Sequence, residues 1–278
     1  TAFILIPYLA AAGGFQVNLQ GNKQSGMGHL GTSFHLGASS TYFNPAMMGL
    51  DSNKFNFEFG GFGIFSEVAF QNRQTGMTER TDNPVSTPFY FYGTYQINDK
   101  LAAGLGVYTP FGSSVDWGKD WSGKNLIQQV TLQAIYIQPT LSYRLNDKLS
   151  VGAGLTVALG SFEIDRAVPA PIGNENTVNL KGGETGFGFN AGLHYQATEK
   201  FSVGLTYRSR VDINLEDGDA TFSMDPALAS SFPSGKFAAD LPLPATATIG
   251  FAYKANEKWL FSVEGSFVEW SAYESLDS

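Results

Sequence analysis

A four-residue phrase recurs along this chain: Asn or Thr, then an acid, Lys and a large apolar residue. Each copy opens a run in which apolar and polar residues alternate. The copies are Asn98-Asp99-Lys100-Leu101, Asn146-Asp147-Lys148-Leu149, Thr198-Glu199-Lys200-Phe201 and Asn256-Glu257-Lys258-Trp259. They lie 48, 52 and 58 residues apart, room in each case for two strands and one longer connection. Tight polar turns at one end, longer loops at the other and a period of two between them describe an all-β, up-and-down antiparallel barrel in a membrane. In run 201–215, Phe201, Val203, Leu205, Tyr207, Val211, Ile213 and Leu215 share one face, with Ser202, Gly204, Thr206, Arg208 and Asp212 on the other. A soluble sandwich also alternates. Runs of about 15–20 residues, however, are long against the roughly five or six of a globular strand.

Composition supports the same reading. Only 15% of the 278 residues are charged, while 32 are Gly and 14% are aromatic. No internal stretch of about 18 apolar residues occurs, which excludes a bundle of membrane helices. A barrel needs no such stretch, because its backbone groups are satisfied between strands. A net charge of −8 without a Lys/Arg-rich patch argues against nucleic acid. The absence of Cys rules out thiolate metal sites and disulfides. His29, His35 and His194 lack metal-ligand spacing, and neither Gly-x-Ser-x-Gly nor His-Glu-x-x-His occurs. No enzyme, metal or cofactor is therefore expected. Gly26-Met27-Gly28-His29-Leu30-Gly31 fits the letter of a dinucleotide fingerprint. It follows a polar stretch instead of an apolar strand and opens no helix pattern, so the match is rejected.

Three regions follow. Residues 1–12 are apolar, end in Ala10-Ala11-Ala12 and are too short to span a bilayer; they read as a signal-peptide remnant. A buried first strand is the alternative, disfavoured by Pro7 and the Ala run. Residues 13–50 are rich in Gly, Ser, Asn and Gln without sustained alternation, and read as a lumenal hatch or a flexible leader. Residues 51–278 read as a partial barrel, with strands near 54–70, 86–97, 101–111, 125–145, 149–166, 178–196, 200–217, 237–254 and 258–274. Bacterial single-chain barrels close with an even number of strands. Nine strands and a loop-like end at residues 273–278 therefore predict a piece lacking its last strands.

Candidate sites come from breaks in the pattern. Over 149–159 the odd positions are apolar and the even ones small or polar; after Gly160 the polarity inverts. Phe162, Ile164 and Arg166 then take the inward face, an arrangement suited to an acyl chain with its carboxylate gripped by Arg166. The plainer reading is a lumen Arg paired with a neighbouring acid. Thr109-Pro110-Phe111-Gly112 should break pairing locally, because Pro cannot donate to a ladder. That could open the wall sideways, or Pro110 merely marks the strand's outer end. In loop 218–236, Asp225-Pro226 reads as a helix cap with Phe222, Met224, Leu228 and Phe232 around it. These four either receive greasy ligand or pack the loop onto itself. Trp117 and Trp121 read equally as interfacial anchors and as ligand contacts.

Several blocks resemble the FadL family of outer-membrane long-chain fatty acid and hydrocarbon transporters. Gly14-Phe15-Gln16-Val17-Asn18 and Ser25-Gly26-Met27-Gly28 are similar to its N-terminal plug, and Phe43-Asn44-Pro45-Ala46 to its Asn-Pro-Ala signature. Residues 186–195, Leu205-Thr206-Tyr207-Arg208-Ser209, Asp240-Leu241-Pro242 and Glu269-Trp270-Ser271 resemble later strands in the same order. The chain departs from the family at His29, where Arg is common, and at Ala38-Ser39-Ser40, where acids are common. Loop 167–177 is also short where the best-known members carry a long, groove-forming one. The resemblance implies a barrel of roughly 14 strands. It also implies a hatch containing Phe15, Asn44, Pro45 and Ala46, a ligand-carboxylate contact at Arg166, and lateral exit at the Pro110 kink.

The function expected is passive transport of fatty acids or other hydrophobic molecules by a monomer in the outer membrane of a Gram-negative bacterium. The partners are the ligand and membrane lipid. No nucleotide motif is present, so partition and downstream consumption would supply the energy. A surface-binding barrel with a closed lumen, such as an adhesin or phage receptor, is the alternative. A plain polar porin would need no plug.

Overall fold

All four copies of the recurrent phrase build the same turn. In the computed structural model, which describes residues 14–172 and 176–272, the chain enters its wall through β1 (Phe55–Gly61) and carries a separate small hairpin, β2 (Ala69–Gln71) and β3 (Thr78–Arg80). Four turns then join β4 (Phe89–Gln96) to β5 (Leu101–Asp116), β6 (Gln129–Arg144) to β7 (Leu149–Ala167), β8 (Thr177–Gln196) to β9 (Phe201–Arg208), and, beyond β10 (Val211–Ser223) and β11 (Gly235–Leu243), β12 (Thr246–Lys254) to β13 (Leu260–Val268). The Asn146 Oδ1 accepts the amides of Lys148 and Leu149 at 2.9 and 3.0 Å. Asn98 and Asn256 do the same, and the Thr198 hydroxyl substitutes in the remaining copy. Asn, Asp and Thr can mimic a backbone turn in this way. That is the physical content of the repeated phrase.

The strands form one antiparallel sheet in the order β1-β4-β5-β6-β7-β8-β9-β12-β13, with β10 and β11 off this path. On β7 the small even positions from Ser150 to Gly160 are buried. Leu155, at 68%, and Phe187 of β8, at 72%, stand out on the opposite face. A water-soluble monomer does not tolerate so continuous an apolar exterior; hydrocarbon does. The sheet curls around residues 14–50, which comprise α1 (Asn22–Gly26), α2 (Ser40–Phe43) and a 3-10 helix (Pro45–Leu50). The segment's polar groups meet Glu58 of β1, Tyr92 of β4, Gln138 of β6, Ser202 of β9 and Glu264 of β13. Only a wall wrapped into a barrel brings both ends of that strand order to one short segment.

Several strand limits differ from the expectation. Run 54–70 ends at Gly61, and β5 continues past Gly112 to Asp116. Runs 200–217 and 237–254 each break in two, at Ser209-Arg210 and at Pro244-Ala245. The first break overturns a burial expectation. Val211, Ile213 and Leu215 keep the parity of Leu205 and Tyr207, yet they are only 1%, 2% and 5% exposed. The Ser209 amide and hydroxyl both bond the Phe189 backbone and close the β8–β9 ladder. Pairing with β8 resumes only at Asp219↔Lys181. Between those points β10 runs across the inner side of the wall, where Gly160, Gly182 and Gly186 leave room for Ile213, Leu215 and Val211. The helix expected at Asp225-Pro226 is a turn leading into a 3-10 helix, Ala229–Ser231. The signal-peptide reading of residues 1–12 and the loop-like end at 273–278 lie outside the described residues.

Candidate functional site

The Asn-Pro-Ala sequence is seated against β7 and β8. The Asn44 Nδ2 donates to the carbonyls of Thr32 and Leu193 at 2.7 and 3.1 Å, and its Oδ1 accepts the Ala46 amide at 3.1 Å. Pro45 follows as the first residue of a 3-10 helix, where its missing N–H costs nothing. The approach is close enough that a Cβ on Gly192 would lie 2.2 Å from the Asn44 Oδ1, and one on Gly152 2.4 Å from the Pro45 carbonyl carbon. Asn44, Pro45 and Ala46 are all buried. Buried polar groups require partners, and here the side chain of Asn44 finds three.

The wall is interrupted at Thr109-Pro110-Phe111-Gly112. The β5–β6 ladder runs through Tyr108↔Tyr136, then resumes at Phe111↔Ala134, so β5 carries one extra residue as a bulge. The β4–β5 ladder ends at Tyr90↔Tyr108. Beyond it the Thr109 hydroxyl bonds the Phe89 backbone in place of a ladder contact. The edge of β5 thus exposed is covered by the chain's own N-terminal segment. Val17 donates to the Pro110 carbonyl at 2.8 Å, and Gly112 to the Phe15 carbonyl at 3.0 Å. The Phe15 ring lies 5.8 Å from that of Phe111 and 5.2 Å from Trp270. Alongside is a cavity of about 510 Å³ bounded by Val17, Ile64, Val85, Pro88, Val115 and Leu132.

The remaining expected residues are dispersed. Phe162 packs on Phe237 at 5.7 Å. Ile164 is half-buried, and Arg166 is exposed at the outer end of β7 without an ion-pair partner among the described residues. The acids beside it are engaged elsewhere: Asn179 donates to Glu163 and Asp165, and Lys181 pairs with Glu163 at 3.1 Å. Phe222 and Phe232 face each other at 5.8 Å, and with Met224 and Leu228 they are half-buried, packing the loop on itself. Trp117 and Trp121 stack at 4.5 Å.

Sequence reasoning missed the lumen's polar centre. The Arg208 guanidinium lies 4.5 Å from the centroid of the Tyr42 ring and 5.5 Å from that of Tyr108. It donates to the Tyr108 hydroxyl, to the Gln138 Oε1 at 2.8 Å and to the Tyr42 carbonyl at 3.2 Å. Gln138 in turn donates to the Thr41 carbonyl at 2.7 Å. The available signal was an Arg following the small residues Ser202, Gly204 and Thr206 on one face of run 201–215. Nearby, His29 of the N-terminal segment contacts Gln20 at 2.8 Å through its Nε2. Burial, and secondarily the charge of Arg208, lowers its pKa from 6.5 to about 4.

Residues 3–278 match the model of a family described as outer membrane protein transport protein (OMPP1/FadL/TodX). The chain is 26% identical over 260 residues to a 47 kDa outer membrane protein of Pasteurella multocida, an alignment covering 84% of this chain and 60% of that protein. It is 25% identical over 313 residues to the long-chain fatty acid transport protein of Escherichia coli, covering 99% of this chain and 70% of the relative. The fold is shared with the crystal structure of the Ralstonia pickettii toluene transporter TbuX. That match has a TM-score of 0.72 at 19% identity over 91% of this chain and 73% of that one. The chain thus spans between about three-fifths and three-quarters of the length of these proteins.

Proposed function

Because the chain belongs to the OMPP1/FadL/TodX family of outer membrane transport proteins, we propose that it is a passive outer-membrane transporter of hydrophobic small molecules. Fatty acids and aromatic hydrocarbons are the classes in view. The ligand occupies the cavity beside β5, whose lining mixes apolar side chains with Ser, Thr, Asn and Gln; the N-terminal segment acts as a hatch, and release is sideways into the bilayer past Pro110. The observation that carries this reading is the plugged interruption between β4 and β5. The wall edge is covered by residues 15–17 of the same chain through two backbone hydrogen bonds, each worth about 0.5–1.5 kcal/mol net, with a third bond from Gln20 to the Thr109 carbonyl and ring contacts of Phe15 with Phe111 and Trp270. A short stretch docked on a strand edge in this way opens locally at lower cost than the continuous ladders of the wall. A greasy ligand then gains by moving from the lumen into hydrocarbon.

Gln16 and Phe111 face each other across an isolated antiparallel bridge. In a pair of this kind, without direct hydrogen bonds, Cα atoms are roughly 4.5 Å apart, within disulfide reach of about 4.4–6.8 Å. The chain has no Cys of its own. In cells expressing the full-length Gln16→Cys/Phe111→Cys variant, oxidation is expected to abolish uptake of labelled oleate or toluene. Reduction should restore it. Uptake indifferent to the bond would reject lateral release through this gap and favour a surface-binding barrel with a closed lumen.

A further inference from the structure

We infer that Arg208 and Asn190 form a carboxylate-binding site inside the barrel, and that an occupied site competes with Tyr42 for Arg208 and so loosens the N-terminal segment. The inference rests on the transport reading above and deepens it, placing the ligand's acid group at a residue other than Arg166.

Among the described residues Arg208 has no carboxylate partner within ion-pair distance. Its Nη1 is used by Tyr108 and Gln138, and one Nη2 hydrogen by the Tyr42 carbonyl. Among the described residues the Nε–H and the other Nη2 hydrogen have no acceptor. Two parallel N–H groups are what a carboxylate engages in a bidentate fork. Tyrosine faces favour the cation, but they do not supply the counter-charge that a guanidinium removed from water calls for.

Asn190 is a second, independent sign. It is 2% exposed, lies directly across the ladder from Arg208, and has neither its Nδ2 nor its Oδ1 hydrogen-bonded. A buried amide left wholly unpaired costs free energy, and native structures rarely keep one without a role. Arg208 and Asn190 line the same cavity, about 250 Å³, with Thr206, Phe43 and Leu30. Glu264 borders it too, but its Oε1 accepts the amides of Gly31 and Thr32 at 3.0 and 2.7 Å. By strand register Glu264 sits level with Gly204 and two strands over. That places it roughly 13 Å along the strand direction and about 10 Å across it from Arg208. A carboxylate at Arg208 therefore meets the cation, not the acid. A carboxylate on that free edge draws the cation's charge away from the Tyr42 ring, 4.5 Å from the guanidinium, and so weakens the cation–π attraction that helps hold Tyr42.

The test compares laurate with dodecanol, which differ only in the head group, by calorimetric titration of the full-length protein in non-ionic detergent. Arg208→Gln is expected to weaken laurate at least tenfold and leave dodecanol unchanged, with Arg208→Lys in between and Asn190→Ala weakening laurate alone. Laurate should also speed trypsin cleavage after the exposed Lys23 in the wild-type protein but not in Arg208→Gln. Equal loss of both ligands in Arg208→Gln would show a latch without a receptor and overturn the inference. So would unchanged laurate affinity in Asn190→Ala, which stands even where Arg208→Gln fails to fold. If the wild-type protein binds both ligands and neither variant matters, the inference falls and the transport reading stands. If it binds neither, both fall.

Discussion

His29 illustrates how single residues set the attachment of the N-terminal segment. It is the one described non-glycine residue in the left-handed region, at φ 65°, and its ring packs 4.8 Å from Phe43. Its pKa falls from 6.5 unfolded to about 4 in place, chiefly through burial. The unfolded segment therefore takes up a proton at higher pH than the docked one, and stability is lost as pH drops. The contribution is intact above 6.5, declines below it and is gone by about 4. Proteolysis or hydrogen exchange over residues 15–50 is expected to quicken across that window. His29→Asn, which tolerates the same backbone angle, should flatten the dependence; an unchanged profile would rule His29 out as its source. At this scale Asn44 was legible only through the family resemblance of its Asn-Pro-Ala sequence, and its role as a cap came from the structure. Arg208 was not, because its meaning depends on Tyr42, Tyr108 and Gln138, which lie far apart in sequence.

At the scale of elements, the repeated turns were the most legible feature. Asn146→Ala removes the acceptor for two amides, so a loss of about 1 kcal/mol is expected. Urea unfolding of the protein folded into vesicles would register it, and Asn146→Asp should retain most of the stability. Alternation also identified the faces correctly over residues 149–160 of β7, whereas Arg166, expected on the inward face, is exposed. It misled in β10, for a reason that is general. Period two states which side chains share a face but not what that face meets. Val211, Ile213 and Leu215 continue the outward parity of Leu205, yet they meet the glycines of β7 and β8 because Ser209 stops the ladder and the strand slips inside. Likewise Pro110 announced an interruption, while the segment that fills it comes from residues 15–17, nearly a hundred positions earlier.

For the whole molecule, the decisive property is an exterior of large apolar side chains surrounding an interior occupied by the N-terminal segment and β10. Leu155 lies near the middle of the apolar part of β7 and is 68% exposed on the outer face. Leu155→Arg should cost about 2–4 kcal/mol if that position sits at the bilayer midplane. The folded fraction recovered in lipid vesicles measures this. An equal cost for Arg at Gly235, at the start of β11 where an added Cβ meets nothing within 4 Å, would indicate general misfolding and not exclusion from hydrocarbon. Strand period, turn chemistry and the outward apolar face were properties of local sequence, since each depends on residues within a few positions of one another. The seat of Asn44 between Gly152 and Gly192, the slip of β10 behind the wall and the aromatic cage around Arg208 were decided only by tertiary structure. Each depends on which distant backbone has no side chain in the way, and no local rule carries that information.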